Sequence, residues 1–271
     1  MKWMIRVDME GVTGVVKMSQ VVPGAADYAF GRSMMMHDLL AVLEGLLQAE
    51  EDEVWLYDIH FDGTNIELQA LDPRVTAICG KPHYGAANKT FLDDSFDGMI
   101  LLGLHARAGM PGALLHHNYE HDIQSIIVRG ADASVHVGEI GLEALMAGEA
   151  GVPLVLVTGD SEGCAEAEAL LPGTVTASVK MSLGDTAAAC LPPARTRALL
   201  ADAARRSRSA AARLEPYRLP GPIELELTFA AGELLTRLQG RLGASFRGPD
   251  RLLLTGETVT EAWAKYLHAK A

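Results

Sequence analysis

Four short segments of the sequence place carboxylate or imidazole side chains beside glycines or just after apolar runs. They are Asp8-Met-Glu10-Gly11, Asp58-Ile-His60, Gly103-Leu-His105-Ala-Arg107 and Gly138-Glu139-Ile-Gly141. Together they supply five candidate metal ligands: Asp8, Glu10, His60, His105 and Glu139. Carboxylates and imidazoles in this combination suit zinc or manganese, and a carboxylate can bridge two such ions. Each residue alone has a simpler explanation as a helix cap, a turn residue or a polar core residue, so the prediction rests on the set.

Apolar runs precede three of these ligand candidates and predict strands that end at the site. The predicted strands are Trp3–Val7, Glu53–Tyr57, Val75–Cys79, Gly98–Gly103 and Pro153–Val157, with helices over about residues 27–49 and 138–148. Asp8, His60 and His105 each come just after one of these strands. Ligands of open α/β sheets bind at the carboxyl ends of the strands. We therefore expect the three side chains to meet at one edge of a sheet.

Buried strands separated by helices predict an α/β fold with a central, mostly parallel sheet flanked by helices. Gln124–Arg129 and Ala133–Val137 flank a short turn and predict a β-hairpin. We expect a boundary near Leu191–Pro193, with residues 1–190 as the metal-binding catalytic domain. Residues 191–271 then form a smaller C-terminal α/β subdomain, which includes the alternating strand Ile223–Phe229.

Composition and charge narrow the classes of function. The 271 residues are 49% hydrophobic and 21% charged, as in a folded globular protein. The net charge is −12, and residues 191–271 hold 13 basic against 8 acidic side chains, so the negative excess lies in residues 1–190. This charge repels phosphate backbones, and we expect no nucleic-acid partner. Three widely spaced cysteines and the lack of a long apolar run lead us to expect a soluble, cytoplasmic protein without disulfides or membrane contact.

The four segments, in this order, resemble the zinc-dependent D-aminopeptidase family. The matching strings are Val7-Asp-Met-Glu-Gly-Val-Thr-Gly14, Asp58-x-His60, Leu102-Gly-Leu-His-Ala-Arg-Ala108 with Pro111-Gly112, and Val137-Gly-Glu-Ile-Gly-Leu142. Looser matches follow at Glu166-Ala-Glu168 and Ser178-Val-Lys180, so the resemblance covers about residues 4–190 well. Each string alone is unspecific, whereas the four together are specific.

The resemblance implies a dinuclear zinc aminopeptidase, with Mn²⁺ or Co²⁺ as alternative ions. Asp8, Glu10, His60, His105 and Glu139 fall on the family's metal-ligand positions. The implied reaction removes the N-terminal residue, a D-amino acid, from short peptides or amides by means of a metal-activated water. His116 falls on the position that acts in catalysis, where it would stabilise the tetrahedral intermediate or protonate the leaving amine. The family forms decameric rings, so the resemblance also implies a homo-oligomer.

Two features depart from the family pattern. Phe61-Asp62-Gly63 replaces a more polar stretch after His60, and His117 stands where a small polar residue is usual. Both departures bear on substrate preference more than on metal binding. We expect His117 to contact the substrate, together with Arg107, whose guanidinium can hold a carboxylate through two hydrogen bonds.

Two other interpretations of the same residues stay open at this point. Asp8-Met-Glu10-Gly11-Val-Thr13 also looks like the acidic motif of haloacid-dehalogenase-type phosphatases, which use magnesium with oxygen ligands. Those enzymes need an aspartate where Glu10 stands, and they have no use for His60 and His105. The other alternative is a non-catalytic ring scaffold with structural metals, although structural zinc sites are usually closed by four Cys or His ligands.

Overall fold

The computed structural model describes residues 1–81 and 91–271, which form two β-sheets and the helices that cover them. The strands are β1 (Lys2–Val7), β2 (Glu53–Asp58), β3 (Val75–Ile78), β4 (Gly98–Leu104), β5 (Ile123–Arg129), β6 (Ser134–Val137), β7 (Leu154–Asp160), β8 (Val175–Ser182), β9 (Ala188–Cys190), β10 (Ile223–Phe229) and β11 (Arg251–Gly256). The helices are α1 (Tyr28–Leu46), α2 (Glu139–Glu149), α3 (Ser161–Leu170), α4 (Pro193–Ala211), α5 (Glu233–Leu242) and α6 (Val259–Lys270). No helix in these two ranges combines the length and the apolar character that crossing a membrane requires.

The first sheet confirms the predicted central, mostly parallel sheet. Its strand order is β3-β2-β1-β4-β7-β8-β9, and all neighbours pair in parallel except β8 and β9. Every residue of β4 and β7 is buried, because helices cover both faces of the sheet. This double cover explains why both strands are almost continuously apolar in the sequence.

Alternating side chains of β1 pack into two separate cores, because successive residues of a strand point to opposite faces. Trp3, Ile5 and Val7 pack with residues of α1 and α4 on one face of the sheet. Met4 packs with residues of α2 and α3 on the other face. The strand is therefore held on both sides, and its carboxyl end has a defined position.

The second sheet is antiparallel, with the order β11-β10-β5-β6, and it includes the predicted hairpin as β5 and β6. Helix α2 lies between the two sheets, with Ile140 and Ala144 in the core of the first and Leu142 and Leu145 in the core of the second. Both helix faces are thus buried, and the residue that begins the helix is fixed relative to both sheets.

Pairing of β10 with β5 crosses the boundary that we expected near Leu191–Pro193. Leu225 lies opposite Val128, and Leu227 lies opposite Ile126, so strands from both sides of that boundary share one sheet. Helix α4, which follows the boundary, packs on α1 and β8 of the first sheet. The residues after 190 therefore do not build a separate sheet among the described residues. Strand β10 completes the hydrogen bonding along one edge of β5, and helices α2, α5 and α6 cover the apolar face of this sheet.

Candidate metal centre

Three neighbouring parallel strands bring the first ligand candidates to one edge of the sheet. Strand β1 lies between β2 and β4, with Val7 in register beside Asp58 and Leu102. The residues that follow the three strands are therefore adjacent, as predicted from the strand ends. Glu139, the first residue of α2, reaches the same place from the layer between the sheets. The five ligand candidates are all buried, with at most 7% of their surface exposed: Asp8, Glu10, His60, His105 and Glu139.

Two glycines allow the loop after β1 to lie directly against the end of β4. Gly103 has a φ of +75°, and a Cβ atom there would lie 2.4 Å from the carbonyl oxygen of Asp8. A Cβ atom at Gly11 would lie 2.0 Å from the carbonyl oxygen of Leu104. The amide of Gly11 also donates a hydrogen bond of 2.7 Å to the carbonyl oxygen of Gly103. This close approach holds together the two backbone segments that carry most of the candidate ligands.

The carboxylate of Asp8 lies between two imidazoles. Its Oδ1 atom is 2.8 Å from Nδ1 of His60, and its Oδ2 atom is 3.6 Å from Nε2 of His105. Each imidazole also faces a second carboxylate: Nδ1 of His60 is 3.3 Å from Oε2 of Glu10, and Nε2 of His105 is 3.5 Å from Oε1 of Glu139. The site thus consists of two groups of one imidazole and one carboxylate, with Asp8 shared between them.

Main-chain carbonyl groups orient the two imidazoles. Nε2 of His60 lies 2.8 Å from the carbonyl oxygen of Val21, and Nδ1 of His105 lies 2.9 Å from that of Ala106. A ring nitrogen that donates to a carbonyl leaves the other nitrogen free to bind a cation, as is usual for metal-binding histidines. In both residues the free nitrogen is the one that faces the carboxylates.

Two buried polar atoms in this group make no hydrogen bond within the described residues. They are Oε2 of Glu10 and Nε2 of His105. Unsatisfied buried polar atoms are costly and are rare in native proteins. Within the described residues, ligating atoms of Asp8, Glu10 and His105 lie within 4.8 Å of one another, as do those of His105, His117 and Glu139. The donor types and the unpaired atoms fit a bound divalent cation.

The electrostatics of the group favour a cation as well. Burial and the neighbouring charge of Glu10 raise the pKa of Asp8 to about 7. Burial acts to lower the pKa of His105, but the carboxylate of Glu139 outweighs it and raises that pKa to about 10. Without a metal, protons on the imidazoles neutralise the carboxylates. A metal ion that binds there must displace those protons.

The structure places His117, rather than its neighbour His116, against the candidate ligands. The ring of His117 stacks on that of His105, with 4.1 Å between the ring centroids and 10° between the planes. His116 lies outside this group, where its Nδ1 atom accepts a hydrogen bond of 3.2 Å from the amide of Gly109. It borders an open cavity of about 240 Å³, whose other lining residues are Met18, Leu115, His121 and Asp185.

Arg107 lies beside the group without touching its carboxylates in the contacts that the described residues make. Its amide donates a hydrogen bond of 2.8 Å to Oε2 of Glu166, and its Nη1 atom lies 3.4 Å from the carbonyl oxygen of Ala108. Glu166 thereby holds the loop that follows His105. A substrate contact by Arg107 stays a prediction.

Lys180 on β8 is a buried residue that the search for ligands and catalytic groups missed. Its Nζ atom donates hydrogen bonds to the carbonyl oxygens of Glu10, Val12 and Val15. Burial lowers the pKa of this ammonium to about 8. The sequence signal that could have revealed it was a lysine between the apolar residues Val179 and Met181. Its contacts were beyond prediction because the residues lie about 170 positions apart.

Comparison with known proteins identifies the family of this chain. A family model described as D-aminopeptidase matches residues 1–266. The chain belongs to the D-aminopeptidase family. Members of this family are peptidases, so this chain is an aminopeptidase by class, and the phosphatase and scaffold interpretations are set aside. The resemblance drawn from the four sequence segments is confirmed.

Two individual D-aminopeptidases illustrate the likeness. The D-aminopeptidase of Bacillus subtilis (strain 168) is 32% identical over 232 residues, which cover 85% of this chain and 82% of the relative. A solved structure of the zinc-dependent D-aminopeptidase DppA from Bacillus subtilis, a self-compartmentalizing protease, superposes with a TM-score of 0.88 at 27% identity. That match covers 100% of this chain and 96% of the other. The α/β fold of this D-aminopeptidase family member is therefore shared over the whole chain.

Proposed function

We propose that the chain is a dinuclear zinc aminopeptidase that releases an N-terminal D-amino acid from short peptides or amides. The observation that carries the proposal is the carboxylate of Asp8, whose two oxygens face two different imidazoles at 2.8 and 3.6 Å. A carboxylate in this position suits a bridging ligand between two metal ions. The zinc dependence of the structural relative, which matches the whole chain, supports zinc as the ion.

The candidate ligands divide into two sets around Asp8. Glu10 and His60 would hold one ion, and His105 and Glu139 would hold the other, because each imidazole faces one Asp8 oxygen and one further carboxylate. The unpaired Oε2 of Glu10 and Nε2 of His105 fit this assignment. When bound, zinc polarises a carbonyl oxygen and lowers the pKa of water from 15.7 to about 7, which is the chemistry that peptide hydrolysis needs.

His116 is the residue that we assign to stabilising the tetrahedral intermediate. Its Nδ1 atom accepts a hydrogen bond from the amide of Gly109, so Nε2 carries the exchangeable proton. This nitrogen can donate a hydrogen bond to the oxyanion of the tetrahedral intermediate that forms before the peptide bond breaks. His116 borders the open cavity and makes no contact with the carboxylates among its described interactions, so metal ligation does not occupy it.

The size of the cavity beside His116 supports the proposal that the substrate is small. Its volume of about 240 Å³ is below the range typical of pockets for drug-sized ligands, and it is open to solvent. The carboxylate of Asp185 lines it and would pair with the α-ammonium group that distinguishes an N-terminal residue. These two properties support action on the N-terminal residue of short peptides. Arg107, two residues after His105, stays assigned to substrate contact, whereas the ring of His117, which the sequence also suggested for that role, lies against His105.

We further propose that the chain assembles into a decameric ring and works in the cytoplasm. The related structure is described as a self-compartmentalizing protease, which supports a closed homo-oligomer. Several large apolar side chains are exposed on this chain and would be covered in such an assembly. They are Phe30, Phe61, Leu68, Met181 and Leu183.

A comparison of matched D-alanyl and L-alanyl p-nitroanilides tests the proposed activity. The zinc-loaded protein is assayed with both amides, with a chelator-treated sample as the control, and bound zinc is counted by mass spectrometry. We expect cleavage of the D-amide that stops on chelation and two zinc ions per chain. A preference for the L-amide contradicts the D-specificity alone. Failure to cleave either amide contradicts the proposed reaction, and a single zinc ion contradicts the dinuclear site.

A further inference from the structure

His117 is not among the five ligand candidates, yet it lies against two of them. One ring nitrogen of His117 lies within 4.8 Å of the ligating atoms of His105 and Glu139. Its ring is parallel to that of His105 on one side and stacks on His121 on the other, with centroids 4.1 and 4.3 Å away. The imidazole is therefore held in one orientation beside the part of the site formed by His105 and Glu139.

The main chain determines which nitrogen of His117 is free. Its Nδ1 atom lies 2.9 Å from the carbonyl oxygen of Leu115, to which it donates a hydrogen bond. Nε2 is then unprotonated and available to a cation, the same arrangement that the carbonyl of Ala106 imposes on His105. Leu115 has a φ of +51°, which a leucine rarely adopts, so the surrounding structure holds a strained turn that directs this carbonyl at the ring.

We propose that His117 is a metal ligand that closes the coordination sphere formed by His105 and Glu139. The inference rests on the proposed function, which supplies the two metal ions. With Asp8 shared, that position has four protein ligands, as closed zinc sites do, whereas the position of Glu10 and His60 has three. Zinc sites that carry out catalysis keep such an open fourth position. The closed position then binds zinc more tightly, and the open one accepts water and substrate.

The ring of His117 could instead serve only to pack His105 in place. Replacement by phenylalanine separates the two roles, because His117→Phe keeps a flat ring between His105 and His121 and removes the ligating nitrogen. His121→Phe is the matched control, since it replaces the neighbouring ring of the same stack, which is exposed and lies outside the described ligand groups.

Zinc titration against a competing chelator, with visible absorption spectra of the cobalt-substituted proteins, tests the proposal on the full-length chain. We expect one tight and one weaker zinc ion in the wild type and in His121→Phe. In His117→Phe, the tight ion should bind more than about 100-fold more weakly, which exceeds the 10–100-fold typical of residues that only orient a ligand. The cobalt spectrum should change with the loss of one ligand.

Two results would overturn the inference. The first would leave the proposed function intact, and the second would overturn the proposed function as well. If the wild type binds two zinc ions and His117→Phe binds them with the same affinities and an unchanged cobalt spectrum, His117 is a packing residue and the proposed function stands. If the wild type binds fewer than two zinc ions, the dinuclear proposal fails and this inference fails with it. X-ray absorption of the zinc-loaded wild type gives a check without mutation, because three imidazole ligands are expected rather than two.

Discussion

The ammonium nitrogen of Lys180 lies 2.6 Å from the main-chain carbonyl oxygen of Glu10. The same nitrogen donates to the carbonyl oxygens of Val12 and Val15 at 2.9 and 2.6 Å, so one buried charge on β8 holds the whole loop after β1. This loop carries a candidate metal ligand on the side chain of Glu10. The position of that ligand thus depends on a residue of β8, which is separated from β1 by two strands of the first sheet.

Lys180→Met should destabilise the protein and weaken metal binding together. The substitution removes the Lys180 donor from three buried carbonyl oxygens. The oxygen of Val12 keeps the amide of Val15 as a donor, and each oxygen left without one costs roughly 1–3 kcal/mol. Urea unfolding of the metal-free protein and zinc titration measure the two effects. Lys265→Met, which removes an exposed lysine paired with Glu261, should change neither quantity much. Unchanged zinc affinity in a folded Lys180→Met protein would show that the loop does not need this charge.

Gly11→Ala should disturb the close approach between the loop after β1 and β4. The added methyl group would lie 2.0 Å from a main-chain carbonyl oxygen, so the backbone must move and the candidate ligands with it. We expect a lower midpoint of unfolding and weaker zinc binding. Gly240→Ala, inside α5 with no atom near the added methyl group, should be neutral or stabilising by up to about 1 kcal/mol. Equal effects of the two substitutions would contradict this explanation.

Asp8→Ala should remove both metal ions at once. A shared carboxylate contributes to two positions, whereas loss of Glu10 or Glu139 affects one position first. Counting bound zinc after dialysis distinguishes the three variants. A folded Asp8→Ala protein that retains two zinc ions would refute the bridging role.

His116→Ala should keep the metals and lose most of the activity. Its imidazole lies outside the carboxylate group, and loss of a hydrogen-bond donor to an oxyanion costs roughly 10²–10³-fold in kcat. The kcat of the D-alanyl amide should therefore fall by that factor while the zinc content stays unchanged. His136→Ala, on β6 beside Ser125, is the control. Full activity of the His116→Ala protein would show that His116 takes no part in the mechanism.

Asp52 should make the stability of the fold depend on acid pH. Its buried carboxylate accepts hydrogen bonds from the N-terminal ammonium, from the amides of Gln48 and Ala49, and from Arg208. Burial alone would raise its pKa, but these donors outweigh it and lower the pKa to about 2. Because the folded pKa lies below the unfolded value of about 3.9, the stabilisation is present above pH 4 and is lost as the pH falls towards 2.

Urea unfolding of the metal-free protein between pH 2 and 7 measures this contribution. Asp52→Asn should be less stable than the wild type by roughly 2 kcal/mol at pH 7, and the difference should shrink below pH 4. Asp202→Asn, which removes an exposed partner of Arg206, should follow the wild-type curve. A difference between Asp52→Asn and the wild type that stays constant with pH would contradict the assignment.

The sequence by itself determined most strands of the first sheet and the ligand candidates that follow them, whereas β8 and β9 were not predicted. The apolar runs before Asp8, His60 and His105 predict strands, and parallel strands must end at one edge, so the three residues meet as expected. The strand Ile223–Phe229 was predicted with its observed bounds, because one buried face gives a strict alternation. The order of the four site segments was enough to indicate the family.

Only the tertiary structure decided how distant elements combine. Local alternation shows that β10 has one buried face, but not that its edge will pair with β5 across nearly 100 residues. Nor could spacing tell that His117, and not His116, faces His105, since this depends on the turn at Leu115. A local pattern reports which face of an element is buried. The partner of that face, and the direction of a side chain in a strained turn, are set by packing between residues far apart in the chain.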